Sequence, residues 1–206
     1  MFYEAAGSRH GLAHDPFKAI VSPRPIGWIS TRSKAGAVNL APYSFFNAIS
    51  TEPMLVMFSS SSMKDSAAFA IESGEFVANF VSKDLAAAMN RSSADAPRGV
   101  SEFAFSGVDE AASVLVSAPR VRQAPAALEC RVTQWFHPSG LDGRASPWVT
   151  VIGEVVGVHI ADAFVRDGRF DMAAAPPLSR LGYHDYGAST ELFEMRRPRR
   201  PDASDA

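Results

Sequence analysis

The polar stretch SSSSMKDS, residues 59–66, brings five serine hydroxyls and one lysine ammonium to the start of a predicted helix. Hydroxyls, an ammonium and the free N–H groups of a helix N-terminus together form a good phosphate site. Serine clusters before helices also act as caps and turns, so this stretch alone indicates a phosphate ligand only weakly.

A second polar stretch, NLAPYSFFN at residues 39–47, places aromatic rings beside hydroxyl and amide groups. We interpret this stretch, continued to Ser50, as a poor strand and a poor helix, because Pro42 breaks a helix and lacks a ladder donor. Its rings offer a flat apolar surface, and a backbone bent at the proline can present N–H groups. A third cluster, WIST at residues 28–31, flanks another strand. The first two stretches together suit a planar heteroaromatic ring that carries a phosphate tail.

Motifs for other chemistry are missing from the sequence, which has no G-x-G-x-x-G, Walker-type P-loop, C-x-x-C, H-E-x-x-H or G-x-S-x-G. His10 and His14 have the spacing of a helical metal pair. Only Asp15 lies nearby as a third ligand, so two exposed histidines near a terminus are the better interpretation. Cys130 is the only cysteine, and its place on the apolar face of a strand predicts a buried, unreactive thiol. No metal site is expected.

Length and composition suit one globular domain, or at most two small ones, and do not indicate a membrane or nucleic-acid partner. The 206 residues suffice for one sizeable core, and a charged fraction of 20% is ordinary for a globular protein. A net charge of −2 offers nothing to attract nucleic acid or an anionic membrane. No apolar window is long enough to cross a bilayer, and the N-terminus lacks the features of a signal peptide. With a single cysteine and no internal disulfide, a cytoplasmic location is expected.

Alternating apolar residues and frequent turn signals predict a mainly β protein. Helices are expected after Ser62 or Asp65, ending at Gly74, and after Ser82. Strands are predicted over residues 25–33, 52–60, 75–82, 127–136 and 148–160, a turn over 33–37, a loop over 90–107 and a hairpin tip over 165–171. The two glycines of the last long strand suggest a bulge or a barrel corner. Strands without regular strand–helix alternation favour an antiparallel barrel with short peripheral α-helices.

Several polar and aromatic side chains have structural interpretations. Asn79 lies between apolar residues and is predicted to be a hydrogen-bonded core amide. His159 alternates with valine and isoleucine on a strand, which favours a hydrogen-bonded structural histidine over one that approaches a ligand. His137 is expected in a turn. Trp28 fits the core and a ligand contact equally well.

Most of the chain resembles a known family through motifs that follow the family's order and spacing. They are RPIGWIST, NLAPYSFF, KDS and SGEFVANFV, then GVSEFAFSG, PRV, ALEC, VIGEVVGVHI and PLSRLGYHDY. Over residues 21–197 the chain resembles the flavin reductase-like, FMN-binding split-barrel family, which includes the reductase components of two-component monooxygenases and flavoredoxins. The resemblance implies a homodimeric Greek-key split β-barrel with a flavin near the subunit interface. The expected domains are an N-terminal extension (1–20), a split barrel (21–195) and a basic, polar tail (196–206).

The resemblance also implies which residues hold the flavin. Ser30 and Thr31 lie near the ribityl phosphate, and residues 42–45 meet the isoalloxazine ring. Residues 47–50 lie near its pyrimidine edge, and residues 59–64 lie on the phosphate side. The implied cofactor-binding residues are Ser30, Thr31, Pro42, Tyr43, Ser44, Phe45, Asn47, Ala48, Ser50, Ser59, Ser60, Ser62, Lys64 and Arg91.

No side chain is assigned the reaction itself, because in such proteins the flavin carries the redox chemistry. His184, in a loop rich in Gly, Tyr and Asp, is a weak candidate for catalysis, and a surface-loop role is at least as good an interpretation. Arg91 and residues 180–184 are candidates for the edge of the site or for a contribution from a partner subunit. The polar loop over residues 138–147 matches no family motif and is interpreted as a hairpin loop.

The implied function is an NAD(P)H-dependent FMN reductase that supplies reduced flavin or electrons to a partner, such as a monooxygenase. FMN is the implied cofactor, with FAD as an alternative, and NAD(P)H is the co-substrate. A second hypothesis is a non-enzymatic FMN-binding electron carrier or a flavin-binding regulatory module on the same barrel. A third keeps the barrel and exchanges the flavin for another cofactor. The sequence does not distinguish NADH from NADPH.

Overall fold

Strands dominate this computed structural model, which describes residues 1–5, 7, 10–97 and 100–198. The predicted mainly β class is confirmed. The strands are β1 (Arg24–Pro25), β2 (Gly27–Arg32), β3 (Val38–Tyr43), β4 (Phe46–Thr51), β5 (Met54–Ser60), β6 (Glu75–Asn79), β7 (Glu110–Ala111), β8 (Arg120–Val121), β9 (Ala126–Phe136), β10 (Val149–Ile160), β11 (Val165–Arg166), β12 (Arg169–Phe170), β13 (Leu178–Arg180) and β14 (Tyr186–Ala188).

Seven of these strands form one antiparallel sheet in the order β3-β2-β6-β9-β10-β5-β4. Its two edge strands, β3 and β4, are joined by only Ser44 and Phe45. In a flat sheet of seven strands the edges would lie about 29 Å apart, at about 4.8 Å per spacing. The chain from Tyr43 to Phe46 reaches only about 10 Å. The sheet therefore curls until the end of β3 lies close to the start of β4, as the predicted antiparallel barrel requires.

The two edge strands correct one prediction. The stretch from Asn39 to Ser50 does not avoid strand structure, because β3 and β4 occupy most of it. Pro42 is compatible with β3 because an edge strand has a neighbour on one side only, where a missing N–H is tolerated. Reading the proline as a strand breaker was therefore wrong for an edge position.

Other local predictions are confirmed. The register of β10 against β9 shifts at Ile152/Gly153 and at Val155/Gly157, so the two glycines of this strand mark bulges. A Cβ at Gly153 would lie 2.4 Å from the Phe76 ring, which explains why a glycine stands there. The hairpin of β11 and β12 turns at Asp167 and Gly168, both with positive φ. Residues 33–37 form the expected turn.

Short helices surround the sheet. They are α1 (Phe17–Ile20), α2 (Asp65–Ser73), α3 (Ala86–Arg91) and α4 (Phe103–Ser106), with 3-10 turns at Lys83–Leu85 and Asp162–Phe164. Gly74 terminates helix α2 as predicted, with a φ of 78°. At the other end of this helix the N-cap residue is Lys64, whose side chain makes no capping bond. The predicted caps, Ser62 and Asp65, are thus displaced by one or two residues. Helix α4 lies within the stretch predicted as a loop. No described helix has both the length and the hydropathy of a membrane span.

Apolar side chains pack on both faces of the curled sheet. Trp28 is fully buried in one cluster, and its Nε1 donates to Ser92 Oγ at 2.8 Å, which assigns it to the core. Asn79 is the predicted core amide: its side chain donates to the carbonyl of Trp28 and accepts from the N–H of Val121. Cys130 is buried and free, and burial raises the pKa of its thiol to about 12. The predicted burial of this thiol is confirmed, and its raised pKa is consistent with low reactivity.

A buried carboxylate ties the sheet to the loop between β7 and β8. Glu129 is fully buried, and its oxygens accept from the backbone N–H groups of Val114, Leu115 and Val116 at 2.7, 2.6 and 3.1 Å. His159 Nε2 lies 2.5 Å from Glu129 Oε1, which confirms the predicted hydrogen-bonded structural histidine. Burial alone would raise the pKa of Glu129, but the hydrogen bonds from His159 and the backbone outweigh it and hold the pKa below its ordinary value.

Candidate functional site

A cavity of about 470 Å³ opens where the two edges of the sheet meet. Its walls come from β3 and the link that follows it, from the link between β5 and α2, and from the segment after α3. Lys18, from the N-terminal extension, and Trp148, next to β10, complete the wall. The volume falls in the usual range for small-molecule sites, about 300–1,000 Å³.

One end of this cavity suits an anion. Lys64 and the hydroxyl-bearing Ser59 and Ser61 line it beside the N-terminus of α2, where the side chain of Lys64 makes no capping bond. The Lys64 ammonium lies 3.6 Å from a carboxylate oxygen of Asp95, and both side chains are largely exposed. Because an exposed pair of this kind is weak, its cation remains available to a bound phosphate.

Another part of the cavity wall is aromatic. The rings of Phe45 and Trp148 lie 4.8 Å apart between centroids, and Tyr43 packs against Phe58 at 5.1 Å. Burial raises the pKa of the Tyr43 phenol, and the nearby Ser66 hydroxyl opposes that shift. The phenol is therefore neutral at pH 7, and the three aromatic side chains in the wall suit a flat ligand ring.

A buried acid that the sequence analysis missed forms the floor of the cavity. Glu102 is 6% exposed, and its oxygens accept from Asn39 Nδ2 at 2.9 and 3.0 Å and from the N–H of Leu40 at 2.8 Å. Ser66 Oγ donates in turn to Asn39 Oδ1. Burial raises the pKa of Glu102, the bond from Leu40 opposes it, and Asp65 adds to the rise. No local signal marks this residue, because it meets β3 across about sixty positions of sequence.

Six predicted cofactor residues line this cavity, and they come from the two polar stretches that the sequence analysis paired. They are Pro42, Tyr43, Ser44, Phe45, Ser59 and Lys64. Ser61 and Trp148 also line it and were not predicted. Ser61 lies inside the serine cluster, so its position carried the signal, whereas Trp148 lies far away in sequence. The structure therefore brings the ring-side and phosphate-side stretches together.

Other predicted cofactor residues lie elsewhere. Ser30 and Thr31 are fully buried, because β2 is an inner strand, and Ser30 Oγ donates to the carbonyl of Pro119 at 2.5 Å. Ser60 is also buried, and the exposed Ser62 does not line the cavity. Arg91 is engaged by α4, since its guanidinium donates to the carbonyl of Ser106 at 2.9 and 2.6 Å. The three residues of β4, Asn47, Ala48 and Ser50, lie on an edge strand outside the cavity.

The histidines take no part in the cavity walls. His184 lines a separate surface cavity with Arg180 and Tyr186. His137 follows β9, and its Nδ1 lies 2.9 Å from the carbonyl oxygen of Trp148. His14 is exposed and His10 is partly buried, neither is helical, and the described residues include no group of three potential metal ligands. Of the polar tail, residues 199–206 lie outside the described residues.

The pairing of an aromatic end with a phosphate-like end matches the outcome of comparison with known proteins. The family model described as "Flavin reductase like domain" matches residues 21–186, which is most of the chain. This chain belongs to that family. An uncharacterized protein of Halalkalibacterium halodurans is 38% identical over 183 residues, which cover 86% of this chain and 87% of the relative.

Solved structures agree on the fold of this flavin reductase-like protein. Nitrilotriacetate monooxygenase component B from Bacillus cereus superimposes with a TM-score of 0.84 at 29% identity, covering 95% of this chain and 98% of that one. A protein from Shewanella frigidimarina with a split barrel domain has a TM-score of 0.79 at 20% identity, covering 88% and 90%. The predicted split-barrel fold is confirmed, and the family assigns the chain a flavin-related oxidoreductase function.

Proposed function

We propose that this protein is a cytoplasmic, FMN-binding, NAD(P)H-dependent flavin reductase. One observation carries the proposal: the wall of a single cavity combines a lysine, serine hydroxyls and a helix N-terminus with aromatic rings. FMN combines a phosphate and a flat ring in one molecule. The residues present therefore fit the cofactor that the family implies.

At the phosphate end, Lys64 supplies the positive charge and Ser59 and Ser61 supply hydroxyl donors. A phosphate carries more negative charge than the Asp95 carboxylate, so it displaces that weak partner from Lys64. The first-turn N–H groups of α2 add further donors. This end fixes the position of the cofactor along the cavity.

Beside the flavin ring, Phe45 and Trp148 exclude water, and Tyr43 adds a neutral phenol to the wall. A bound flavin supplies the redox chemistry, because its ring accepts hydride from a reduced nicotinamide. The part of the protein is to hold the ring still and leave one face open to the donor. An acid, a base and a nucleophile are not required among the wall residues.

We also propose a homodimer in which β4 contributes to the site of the partner subunit. β4 is an edge strand of the sheet, and its Asn47 and Ala48 are exposed. Ile49 and Met54, beside them, are apolar and exposed as well. A second copy that covers this edge protects it from unspecific pairing and gives Asn47, Ala48 and Ser50 the flavin contact that the resemblance implies. Sedimentation equilibrium of the protein tests this, and a monomer at micromolar concentration contradicts it.

The similar B. cereus structure is a monooxygenase component, which supports a proposal that reduced flavin passes to a partner oxygenase. The electron-carrier hypothesis differs in one observable. A reductase loaded with FMN loses its yellow colour on anaerobic addition of NADH or NADPH and turns over repeatedly with free flavin. A carrier binds FMN and does not react with either dinucleotide.

The phosphate assignment is tested by Lys64→Ala, with FMN and riboflavin as paired ligands. Loss of one charge-assisted contact weakens FMN by about tenfold, on the order of 1.4 kcal/mol, while riboflavin, which lacks the phosphate, changes little. Lys83→Ala is the matched control, since Lys83 is exposed and opens a 3-10 turn outside the cavity. Equal losses for both ligands contradict the assignment, and failure of the wild-type protein to bind FMN contradicts the function.

A further inference from the structure

A second cavity of about 290 Å³ adjoins the candidate flavin cavity and contains three cations. Lys18, Arg24 and Arg180 line it together with Tyr183 and Tyr186. The two cavities share Lys18, Pro42, Ser44 and Ser93 in their walls. A ligand that begins in one can therefore continue into the other.

Arg24 is buried in an unusual way. It is 7% exposed, and its two terminal nitrogens donate to the carbonyls of Lys18, Val21 and Leu181, the last at 2.8 Å. Its Nε is buried and has no hydrogen-bond partner. A buried charged donor without an acceptor is costly unless a ligand supplies one.

Arg180 increases that cost. It stands directly opposite Arg24 in the antiparallel pair of β1 and β13, and like charges in such positions repel. Burial and this neighbour both lower the pKa of Arg24. Within residues 1–5, 7, 10–97 and 100–198, no ion pair includes Lys18, Arg24 or Arg180. The second cavity thus has three positive charges that no described carboxylate pairs with, which is the electrostatic pattern of an anion site.

The position of this cation group relative to the flavin cavity identifies the anion. The Arg24 guanidinium lies over the Phe45 ring, 6.0 Å from its centroid, so the group sits beside the aromatic end. Lys64, at the phosphate end, does not line the second cavity, and neither arginine lines the first. Lys64 and the two arginines thus lie in different cavities, and the second cavity, beside Phe45, offers an anion site additional to the one at Lys64.

We propose that Lys18, Arg24 and Arg180 bind the diphosphate of the reduced dinucleotide while its nicotinamide lies at the ring end of the flavin cavity. Tyr183, which is exposed on the same wall, offers a ring face to the adenine. The inference rests on the proposed function. The ADP half of FAD has the same chemistry, but it extends from the flavin phosphate and so begins at the Lys64 end.

The test uses ADP as the probe and the FMN-loaded protein, with calorimetric titration. ADP binds and adenosine, without phosphates, binds at least tenfold more weakly. Arg180→Met weakens ADP about tenfold, and Arg180→Lys recovers part of the loss because the charge remains. Arg169→Met, which removes an exposed arginine from β12, is the matched control and leaves ADP binding unchanged.

Steady-state kinetics give an independent measurement. Arg180→Met raises KM for NADH or NADPH about tenfold and leaves kcat within twofold, because the arginine contacts the phosphates and not the reacting atoms. FMN affinity, measured in the same variant by flavin fluorescence, stays unchanged. Equal ADP affinity in wild type and Arg180→Met overturns the inference. A loss of affinity for FAD alone, with ADP affinity and KM unchanged, also overturns the inference and assigns the three cations to FAD binding.

These outcomes separate the inference from the proposed function. If the protein binds FMN and oxidises NADH but binds ADP no better than adenosine, the proposed function stands and the proposed cation site is rejected. Protein that binds no FMN loses the function, and the dinucleotide proposal falls with it.

Discussion

Two buried glutamates contact the curled sheet in different ways, Glu129 from its central strand β9 and Glu102 at its edge strand β3. Glu129 lies between β6 and β10, away from the cavity, and receives three backbone N–H groups and His159. Glu102 lies in the cavity floor and receives hydrogen bonds from Asn39 and from the backbone N–H of Leu40, with the negative Asp65 close by. Hydrogen bonds lower the pKa of Glu129, whereas burial raises that of Glu102.

These opposite pKa shifts distinguish a carboxylate with a structural role from a carboxylate in a binding site. Donors surround Glu129 on all sides, so its negative charge is stabilised by the fold itself. Glu102 lacks that compensation because one side of it faces the cavity. A perturbed acid in a cavity indicates function more often than an equally buried acid in a complete network.

The largest expected effect is on folding and concerns Glu129. Replacing it with alanine leaves three N–H groups and His159 without their acceptor, and removing one partner of a buried charged pair costs about 3–5 kcal/mol. We expect Glu129→Ala to lower the free energy of unfolding by that amount, measured by urea denaturation at pH 7.

The matched control for this substitution is Glu75→Ala. Glu75 binds the same loop from the neighbouring strand, where Oε2 accepts from the N–H and hydroxyl of Ser117 at 2.7 and 2.8 Å, but these bonds are exposed to water. Water replaces such bonds, so the loss is about 1 kcal/mol. Similar losses in the two variants would contradict the comparison.

Sequence reasoning could predict elements whose signals are local. Gly74 ends α2 because a left-handed residue follows the helix, and the pair Asp167–Gly168 forms its hairpin because both residues accept positive φ. The cavity walls at Phe45 and Lys64 were also predicted, since each lies within a short stretch of suitable chemistry.

What sequence reasoning missed depends on where a strand lies in the sheet. Pro42 is tolerated only because β3 is an edge strand of the sheet. Ser30 is buried in the core only because β2 is an inner strand. The strand order arises from pairings over long sequence separations, which no local pattern encodes. Glu102 and Trp148 enter the cavity for the same reason.

The pH dependence of stability should have opposite signs at the two glutamates. The lowered pKa of Glu129 means that its stabilisation is present above about pH 4.3, the ordinary value, and is lost as the pH falls through the folded-state pKa. Glu102, with a raised pKa, favours the folded state at low pH and loses that contribution as the pH rises through its folded-state pKa.

Glu129→Gln and Glu102→Gln measure these two contributions. In urea denaturation between pH 3 and pH 8, Glu129→Gln removes part of the fall in stability on the acid side. Glu102→Gln removes a fall that occurs as the pH rises above about 4.3. The free energy of unfolding can change by at most about 1.4 kcal/mol per pH unit in either variant, which is the value for one proton. Changes of the same sign in both variants would show that the two environments are alike.

The smallest effect concerns ligand affinity and separates the two glutamates most directly. Glu102 lines the cavity near Asp65, so its negative charge repels the FMN phosphate, and Glu102→Gln should strengthen FMN by about twofold to fivefold, less than about 1 kcal/mol. Riboflavin, without the phosphate, should gain less. Glu129→Gln, outside the cavity, should change neither ligand, which fluorescence titration of the flavin can measure at pH 7. Weaker binding of FMN to Glu102→Gln would mean that the carboxylate is needed to hold Asn39 and β3 in place, and that its structural role exceeds its electrostatic one.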